Sequence, residues 1–485
     1  MISLVGFAPD LPPETPGVFT DCKNILPAVG GFVSANTPVD ANLGALDGAA
    51  KGFAVTRKID NAMRVFSGSS AKLYEATAGV WADISKSGGY TLGPDDRWRF
   101  AQFGNVTIAA AKSVTIQSIS GGAAFADLSA SAPKAEIVET INNQVFAFNI
   151  NGMGFGDSPE RWACSAVGDE TDWTPSVSTQ CVSGQLLDTP GPITAGKRLG
   201  DIIVAYKDRS MYVGQYVGVP LVWDFRKLPG EIGTPCNEAV VSTGTMHFFI
   251  GHDDFYVFDG TRPQPLNAPL RNWFFATVDP VYMYKICGTY DRFNQRVFWW
   301  FPSSSSSAGA LDKCVVYNIK TNQWGRMDGS IEIAAEYVAS GVTYAGLGTL
   351  YSTYDDLPTN ISYNSPFWTS GAAVLAAFGT DHKAYQYSGV PTESRFTTGH
   401  YGDNTQFSTV TRIRPRFIQS PTSSTLNYSY SNTDASAFAS KSTSTYSGNW
   451  YNFIWSARWH RFEFVFNGPT KISGFDLFTA TDGIE

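Results

Sequence analysis

Charge is what this sequence is shortest of: charged residues make up 16% of its 485 positions, well under the quarter usual in a soluble chain. The formal balance is −8, with a pI of about 5.2. A chain-wide basic surface that grips nucleic acid by releasing counterions is thereby excluded. Histidine and cysteine are sparse too. The five histidines, His247, His252, His382, His400 and His460, lie beside no serine or cysteine in a nucleophile motif, and no G-x-S-x-G occurs. The six cysteines, Cys22, Cys164, Cys181, Cys236, Cys287 and Cys314, stand far apart. They form no C-x-x-C pair and have no histidine at ligand spacing, which leaves buried free thiols rather than zinc or a disulfide framework. GGFVSANTP at Gly30–Pro38 lacks the Lys-Ser/Thr that holds a triphosphate. The chain is expected to have no catalytic residues, no metal site and no cofactor.

No apolar run approaches a membrane span, so no membrane anchor is expected. The opening MISLVGFAPDLPPETPG has neither the basic n-region nor the apolar h-region of a secretory signal. Synthesis in the cytoplasm, with release by lysis if the protein leaves at all, is the expectation. Helical patterning is scarce as well, the best stretch being NAPLRNWFFAT at Asn267–Thr277.

What the sequence has in plenty is aromatic residues, at 14%, with 46 glycines and 26 prolines spread along the chain. That is the composition of many short strands joined by frequent turns. Residues 297–324, VFWWFPSSSSSAGALDKCVVYNIKTNQW, place two apolar runs around a serine loop and follow them with a lone tryptophan. The unit recurs at Met63–Trp81, Ile202–Trp223, His247–Gly260, Val342–Tyr351 and Val374–Tyr387, and more weakly at Val106–Ile116 and Val145–Ile150. Each is a period-2 hairpin with one face left over for a core. Its second-strand tyrosines, Tyr74, Tyr212, Tyr256, Tyr317, Tyr351 and Tyr385, return about every 35 to 60 residues where neighbouring units are both recognisable. That is the period of propeller blades, and a ring of blades buries faces that one blade alone cannot.

The fold expected is all-β: a β-propeller of about six to eight irregular blades over residues 61–402, an extended N-terminal strap over residues 1–60, and a C-terminal β-rich layer over residues 403–485. The strap is Pro/Gly-rich and poor in paired strand signals, so it reads as a segment that lies over something else and orders on assembly.

The acidic doublets Asp95-Asp96, Asp253-Asp254 and Asp355-Asp356 have the residue type that glycoside hydrolysis needs. Each lies in a turn, where aspartate is favoured for bonding nearby backbone N–H groups. One basic stripe stands out: Arg412, Arg414 and Arg416 alternate with Ile413 and Pro415, which puts three guanidinium groups on one strand face, with Arg458 and Arg461 in a nearby strand. It reads either as a partner-binding face for an acidic subunit or phosphates, or as a solvated strand surface.

Three stretches carry a resemblance: PERWACSAVGDETDWTP at Pro159–Pro175, GKRLGDIIVAYKDRSMYVGQYVG at Gly196–Gly218, and LPGEIGTPCNEAVVSTGTMHFFIGHDDFYVFDGTRPQPL at Leu228–Leu266. Together with the opening GFAPDLPPETPGVFTDCKNILPAVGGF, they resemble the nozzle proteins of short-tailed bacteriophages, also called packaged-DNA stabilisation or tail accessory proteins. The resemblance covers roughly a third of the chain and implies a structural virion protein of the phage tail. Its partners would be five further copies in a homohexameric ring, the adaptor (head-to-tail connector) above, and a tail needle or tip and spikes or fibres below and beside. The viral double-stranded DNA would pass through transiently during ejection, and net negative charge suits a channel in which a duplex must slide. A carbohydrate-binding or glycan-hydrolysing propeller is the alternative, and a β-rich scaffold of a non-viral assembly a third reading.

Overall fold

The computed structural model describes residues 1–60, 62–77, 79–122, 124–338, 353–357, 373–433 and 437–484. Their architecture follows from one demand of the sequence, which is that runs such as VFWWF be buried on both faces. In the strand Arg296–Pro302, Val297, Trp299 and Phe301 enter one apolar cluster while Phe298 and Trp300 enter another. A strand can do this only as an inner layer between two stacked sheets.

Seven four-stranded antiparallel sheets are stacked in this way among the described residues. The first runs Gly52–Arg57, Met63–Gly68, Leu73–Thr77 and Val80–Asp83. The second comprises Arg99–Phe103, Val106–Ala111, Val114–Ile119 and Ala126–Asp127. The third comprises Lys134–Ile141, Gln144–Asn151, Asp157–Cys164 and Val182–Gln185. The fourth follows with Ile193–Leu199, Ile202–Lys207, Met211–Gly218 and Val222–Lys227. The fifth has Val240–Ser242, His247–Ile250, Phe255–Phe258 and Gln264–Pro265. The sixth has Cys287–Asp291, Arg296–Pro302, Leu311–Asn318 and the first half of the long strand Gln323–Val338.

The second half of Gln323–Val338 opens the seventh sheet with Ala373–Gly379 and Lys383–Gly389. Its outermost strand comes from the other end of the chain: Thr37–Ala45 pairs with Lys383–Gly389. Sheets one and six both pack on the seventh, because Phe53, Val65 and Trp81 share a cluster with Phe298 and Trp300 and with Ile333 and Phe378. The ring is therefore closed, and the fold is a β-propeller. The recurring hairpin of the sequence is the second and third strand of a blade, and the lone tryptophan opens the fourth, as with Trp81, Trp223 and Trp324. The unit Val342–Tyr351 lies outside the described residues, and Val145–Ile150, weak in the sequence, pairs on both sides. One short α-helix, Arg271–Thr277, falls on the stretch where helix was expected. Among the described residues no helix is long and apolar enough to cross a membrane.

Both chain ends build a second body, a two-sheet sandwich. One sheet orders Gly6–Phe7, Val18–Lys23, Glu393–Thr398, Trp459–Asn467, Ser423–Ser431 and Ala439–Thr445. The other orders Ile25–Ala28, Gly31–Ser34, Lys471–Ile484, Gln406–Gln419 and Tyr451–Ala457. Between them lies an aromatic core in which Phe19 stacks on Phe396 at 4.2 Å, and Phe396 on Phe464 at 4.8 Å.

Residues 1–60 are built into both bodies, Thr37–Ala45 and Gly52–Arg57 as blade strands and Gly6–Phe7, Val18–Lys23, Ile25–Ala28 and Gly31–Ser34 as sandwich strands, and they are held tightly. Phe7, Val18, Phe19, Ile25 and Phe32 are all buried. Arg326 pairs with Asp21 at 2.6 Å, and Arg296 donates to the Pro27 carbonyl at 2.7 Å. At Gly325 the strand crosses so closely that a Cβ there would sit 2.3 Å from the Ile25 carbonyl oxygen. A strap that orders only on assembly is not what these contacts describe.

Candidate functional site

The first strand of each blade lies innermost, where the ring's axis is polar. Arg97 and Arg99 enter from the second blade, Glu136 from the third, and Glu238 from the turn Asn237–Ala239 that leads into the fifth. The Glu238 carboxylate accepts Arg99 Nε at 2.7 Å and Nη2 at 3.0 Å, and Arg97 stands 3.8 Å away. Arg99 Nη1 also donates to the Glu136 carbonyl at 2.7 Å, and Asn149 donates to the Glu136 carboxylate at 2.5 Å. Arg97 Nη2 reaches the Lys285 carbonyl, just before the sixth blade, at 2.8 Å. The second and fifth blades are not neighbours, so a bidentate pair between them must cross the axis. Burial alone would raise the Glu238 pKa, but the Arg99 and Arg97 guanidinium groups outweigh it and hold the carboxyl far below the usual carboxylate range. The hub spends its charges on joining blades.

The groups that looked catalytic in the sequence are spent likewise. Asp95 accepts from Tyr284 Oη and Asp96 from the Gly93 N–H. Asp253 accepts from Tyr256 Oη, Asp254 from the Phe255 N–H, and Asp356 from Thr353. The bonds to Asp96, Asp254 and Asp356 come from nearby backbone N–H groups, as the turn reading expects, whereas Asp95 and Asp253 accept from tyrosine hydroxyls, the first from 189 positions away. His247 sits buried between Tyr206 Oη at 2.8 Å from Nδ1 and the Arg198 carbonyl at 2.9 Å from Nε2. The carbonyl requires a proton on Nε2, so the tyrosine donates to Nδ1 and the ring is neutral. Burial pushes its pKa down to about 4. His460 bridges the sandwich between Tyr428 on one sheet and Ser408 on the other, and burial likewise takes it to about 4. All six cysteines are buried and free, and burial raises Cys164, Cys181 and Cys236 to about 12. Among the described residues no three His, Cys, Asp or Glu side chains gather as a metal site.

The arginine stripe occupies the outward face of the sandwich's second sheet. Ile413 and Pro415 turn inward, so the strand does place Arg412, Arg414 and Arg416 on one side. The structure then separates them by role. Arg416 is bound to Asp476 on the neighbouring strand at 2.5 Å. Arg412 lies over the Trp450 ring at 4.2 Å from its centre and near Phe478 at 5.1 Å, while Arg414 lies 5.5 Å from the same indole. Arg458 and Arg461, expected beside the stripe, are elsewhere: Arg461 is on Trp459–Asn467 in the other sheet, over Phe438, and Arg458 is in the turn before it, over Phe407. Trp450 and Phe478 had no signal in the sequence tying them to the stripe, since they arrive from a turn and from the last strand.

No family model and no curated protein matches the chain. Solved structures similar to it include the WD40 domain of Pan2 from Neurospora crassa, at 9% identity over 70% of this chain and 88% of that one, with a TM-score of 0.37. YCF48 bound to a D1 peptide matches at 11% identity over 73% of this chain and 95% of that one, with a TM-score of 0.38. YCF48 from Cyanidioschyzon merolae matches at 9% over 73% and 98%, with a TM-score of 0.35. The class, a β-propeller protein with a sandwich built from both chain ends, rests on the strand pairing above.

Proposed function

We propose that this chain is a structural subunit of a short-tailed phage tail, six copies of which form the nozzle ring below the portal–adaptor, extend the DNA exit channel, retain packaged DNA and carry tip and spikes. The observation that carries the reading is where the resembling stretches fall. Pro159–Pro175, Gly196–Gly218 and Leu228–Leu266 lie in consecutive blades, from the outer strands of the third through the fifth, and include the hub residue Glu238. Segments from one arc of a ring are what a shared subunit architecture would hold in common. The plugged axis supports the same reading: DNA would pass through the middle of the hexamer, not through the propeller. Electron microscopy of particles assembled with the full chain is expected to show a sixfold ring beneath the adaptor. A fivefold or twelvefold ring, or particles that complete their tails without the chain, would overturn it.

Carbohydrate binding is favoured by one feature, an open groove of about 610 Å³ on the outward face of the first sandwich sheet, lined by Asn427, Lys441, Thr443, Arg461 and Glu463. Asn427 donates to Glu463 at 2.8 Å and accepts from Thr443 at 2.8 Å, a polar array whose donors and acceptors suit sugar hydroxyls. Calorimetric titration with polysaccharide of the host should give saturable heat that is lost in Glu463→Ala; its absence removes this reading.

A further inference from the structure

The last two strands of the fourth blade run on past their neighbour. Met211–Gly218 last pairs with Ile202–Lys207 at Gly214, opposite Ile203, and beyond that point it pairs with Val222–Lys227 alone. The tip of this hairpin, QYVGVPLVW at residues 215–223, carries no charge. Tyr216, Val217, Val219 and Leu221 are 43% to 60% exposed. The projection is nevertheless fixed. Tyr216 Oη donates to Gln180 at 2.7 Å and Trp223 Nε1 to Gln144 at 2.8 Å, both of the third blade. Val222, wholly buried, is held at φ 65°, which is costly for a β-branched residue. Strain of this kind gathers at binding sites, and an apolar tip already fixed loses little freedom on docking. A hollow of matching character lies across the ring. An open groove of about 1000 Å³ runs between the sandwich and the sixth and seventh blades, lined by Leu26, Ala28, Val33, Val390 and Pro391, with Phe293, 88% exposed, at its lip. Its arginines are engaged, Arg292 with Glu336 at 3.3 Å and Arg296 with the Pro27 carbonyl at 2.7 Å.

We propose that a second copy of this chain fills the groove, the hairpin tip 215–223 of one subunit seating beside Phe293 of the next. The chain itself supplies both halves of the contact, an uncharged knob and an apolar hollow. Phe293 lies in the turn between the first and second strands of the sixth blade, and the knob in the turn between the third and fourth strands of the fourth blade. Antiparallel order puts both turns at one end of the propeller. Patches on different sides of a subunit make a heterologous contact, which closes into a ring when the two stand at one height and winds into a helix when they do not. A lipid surface fits less well, since a membrane leaves the groove and Phe293 without a role. Such a contact is the lateral joint of the proposed nozzle ring and rests on that reading for its stoichiometry, yet either can fail alone.

The test is sedimentation velocity of the full chain from about 1 to 200 µM. Association that grows with concentration is expected, with a dissociation constant of roughly 10–100 µM, as suits a small interface. Leu221→Asp charges the knob and Phe293→Asp charges the lip, so each should weaken association about tenfold or more. Ile454→Asp, at an 87% exposed position on the sandwich strand Tyr451–Ala457, should leave it unchanged. Mixed together, L221D and F293D still hold one intact groove and one intact knob, and a one-to-one pair that grows no further is expected. Circular dichroism melts of each variant separate lost association from lost folding. Four outcomes would overturn the proposal: no association at the highest concentration, association that neither aspartate weakens, a mixture that stays monomeric, or binding to phosphatidylcholine vesicles that L221D abolishes while the chains stay apart. The last would make the occupant of the knob a lipid surface. A sixfold ring that both variants join at normal occupancy would sink this contact and leave the tail reading standing; knob-dependent association without a sixfold ring below an adaptor would do the reverse.

Discussion

A chain lacking residues 1–30 is expected to lose its sandwich, to be prone to precipitation and to give no native near-ultraviolet circular dichroism from that body. The deletion removes Gly6–Phe7 and Val18–Lys23 from beside Glu393–Thr398, and Ile25–Ala28 from beside Gly31–Ser34. Phe7, Val18, Phe19 and Ile25 are 1% exposed or less. Each such side chain contributes about 1.5–3 kcal/mol by burial, so these four sum to roughly 6–12 kcal/mol, as large as the net stability of an ordinary domain. Phe396, deprived of Phe19, would face water along with its neighbours in the aromatic core. Phe19→Ala alone should cost about 3–5 kcal/mol in denaturant unfolding. A truncated chain that stays soluble, melts within a few degrees of the full one and keeps its aromatic signal would show that the segment is dispensable after all. It follows that truncating the N-terminus is a poor probe of assembly, since the fold fails first. Contacts of the proposed ring are better tested on outward faces, where substitutions leave the core alone.

The propeller was legible because its sequence signal is local. Two apolar runs, a tight turn and a trailing tryptophan fit within about 20 residues, and burial on both faces gives runs such as VFWWF that few other environments tolerate. The N-terminal strands were hidden for the opposite reason. Pro9, Pro12, Pro13 and Pro16 dominate the stretch, the strands around them are as short as two residues, and Val18–Lys23 finds its partner Glu393–Thr398 more than 350 positions away. Short strands of this kind have no periodicity of their own and take their structure from a sheet already present. The arginine stripe shows both cases at once. Its spacing gave the shared face, while the division of labour between Arg416 and the stacked pair depends on Asp476, Trp450 and Phe478, none of which its spacing could indicate.

The axial hub was invisible in sequence, since Arg99 and Glu238 are separated by 139 positions, yet it should be among the most sensitive places in the molecule. Glu238→Ala is expected to cost about 3–5 kcal/mol, because it strands Arg99, whose side chain is 9% exposed, without its bidentate partner. Replacing both members by apolar residues of similar volume, R99M/E238L, should recover much of that loss, and a double variant no better than the single one would show that the pair is not the source. The hub also sets a direction for acid. The Glu238 pKa is depressed in the fold, so its contribution is complete above the unfolded value near 4.5 and is lost as pH falls below it. His247 and His460 act earlier. Their folded values of about 4 lie below the unfolded 6.5, so the unfolded chain takes up their protons first and stability declines between those two values. Each should cost roughly 2 kcal/mol by about pH 4.5. Thermal unfolding is therefore expected to be flat in pH above about 7, to fall through the histidine window, and to fall further below about 4.5, where the carboxylate joins in. His460→Gln should flatten the upper limb without moving the lower one, whereas E238A should reduce the lower limb alone. Melting temperatures that hold steady from pH 7 to 4.5 would mean that the two imidazoles are not held neutral by the fold.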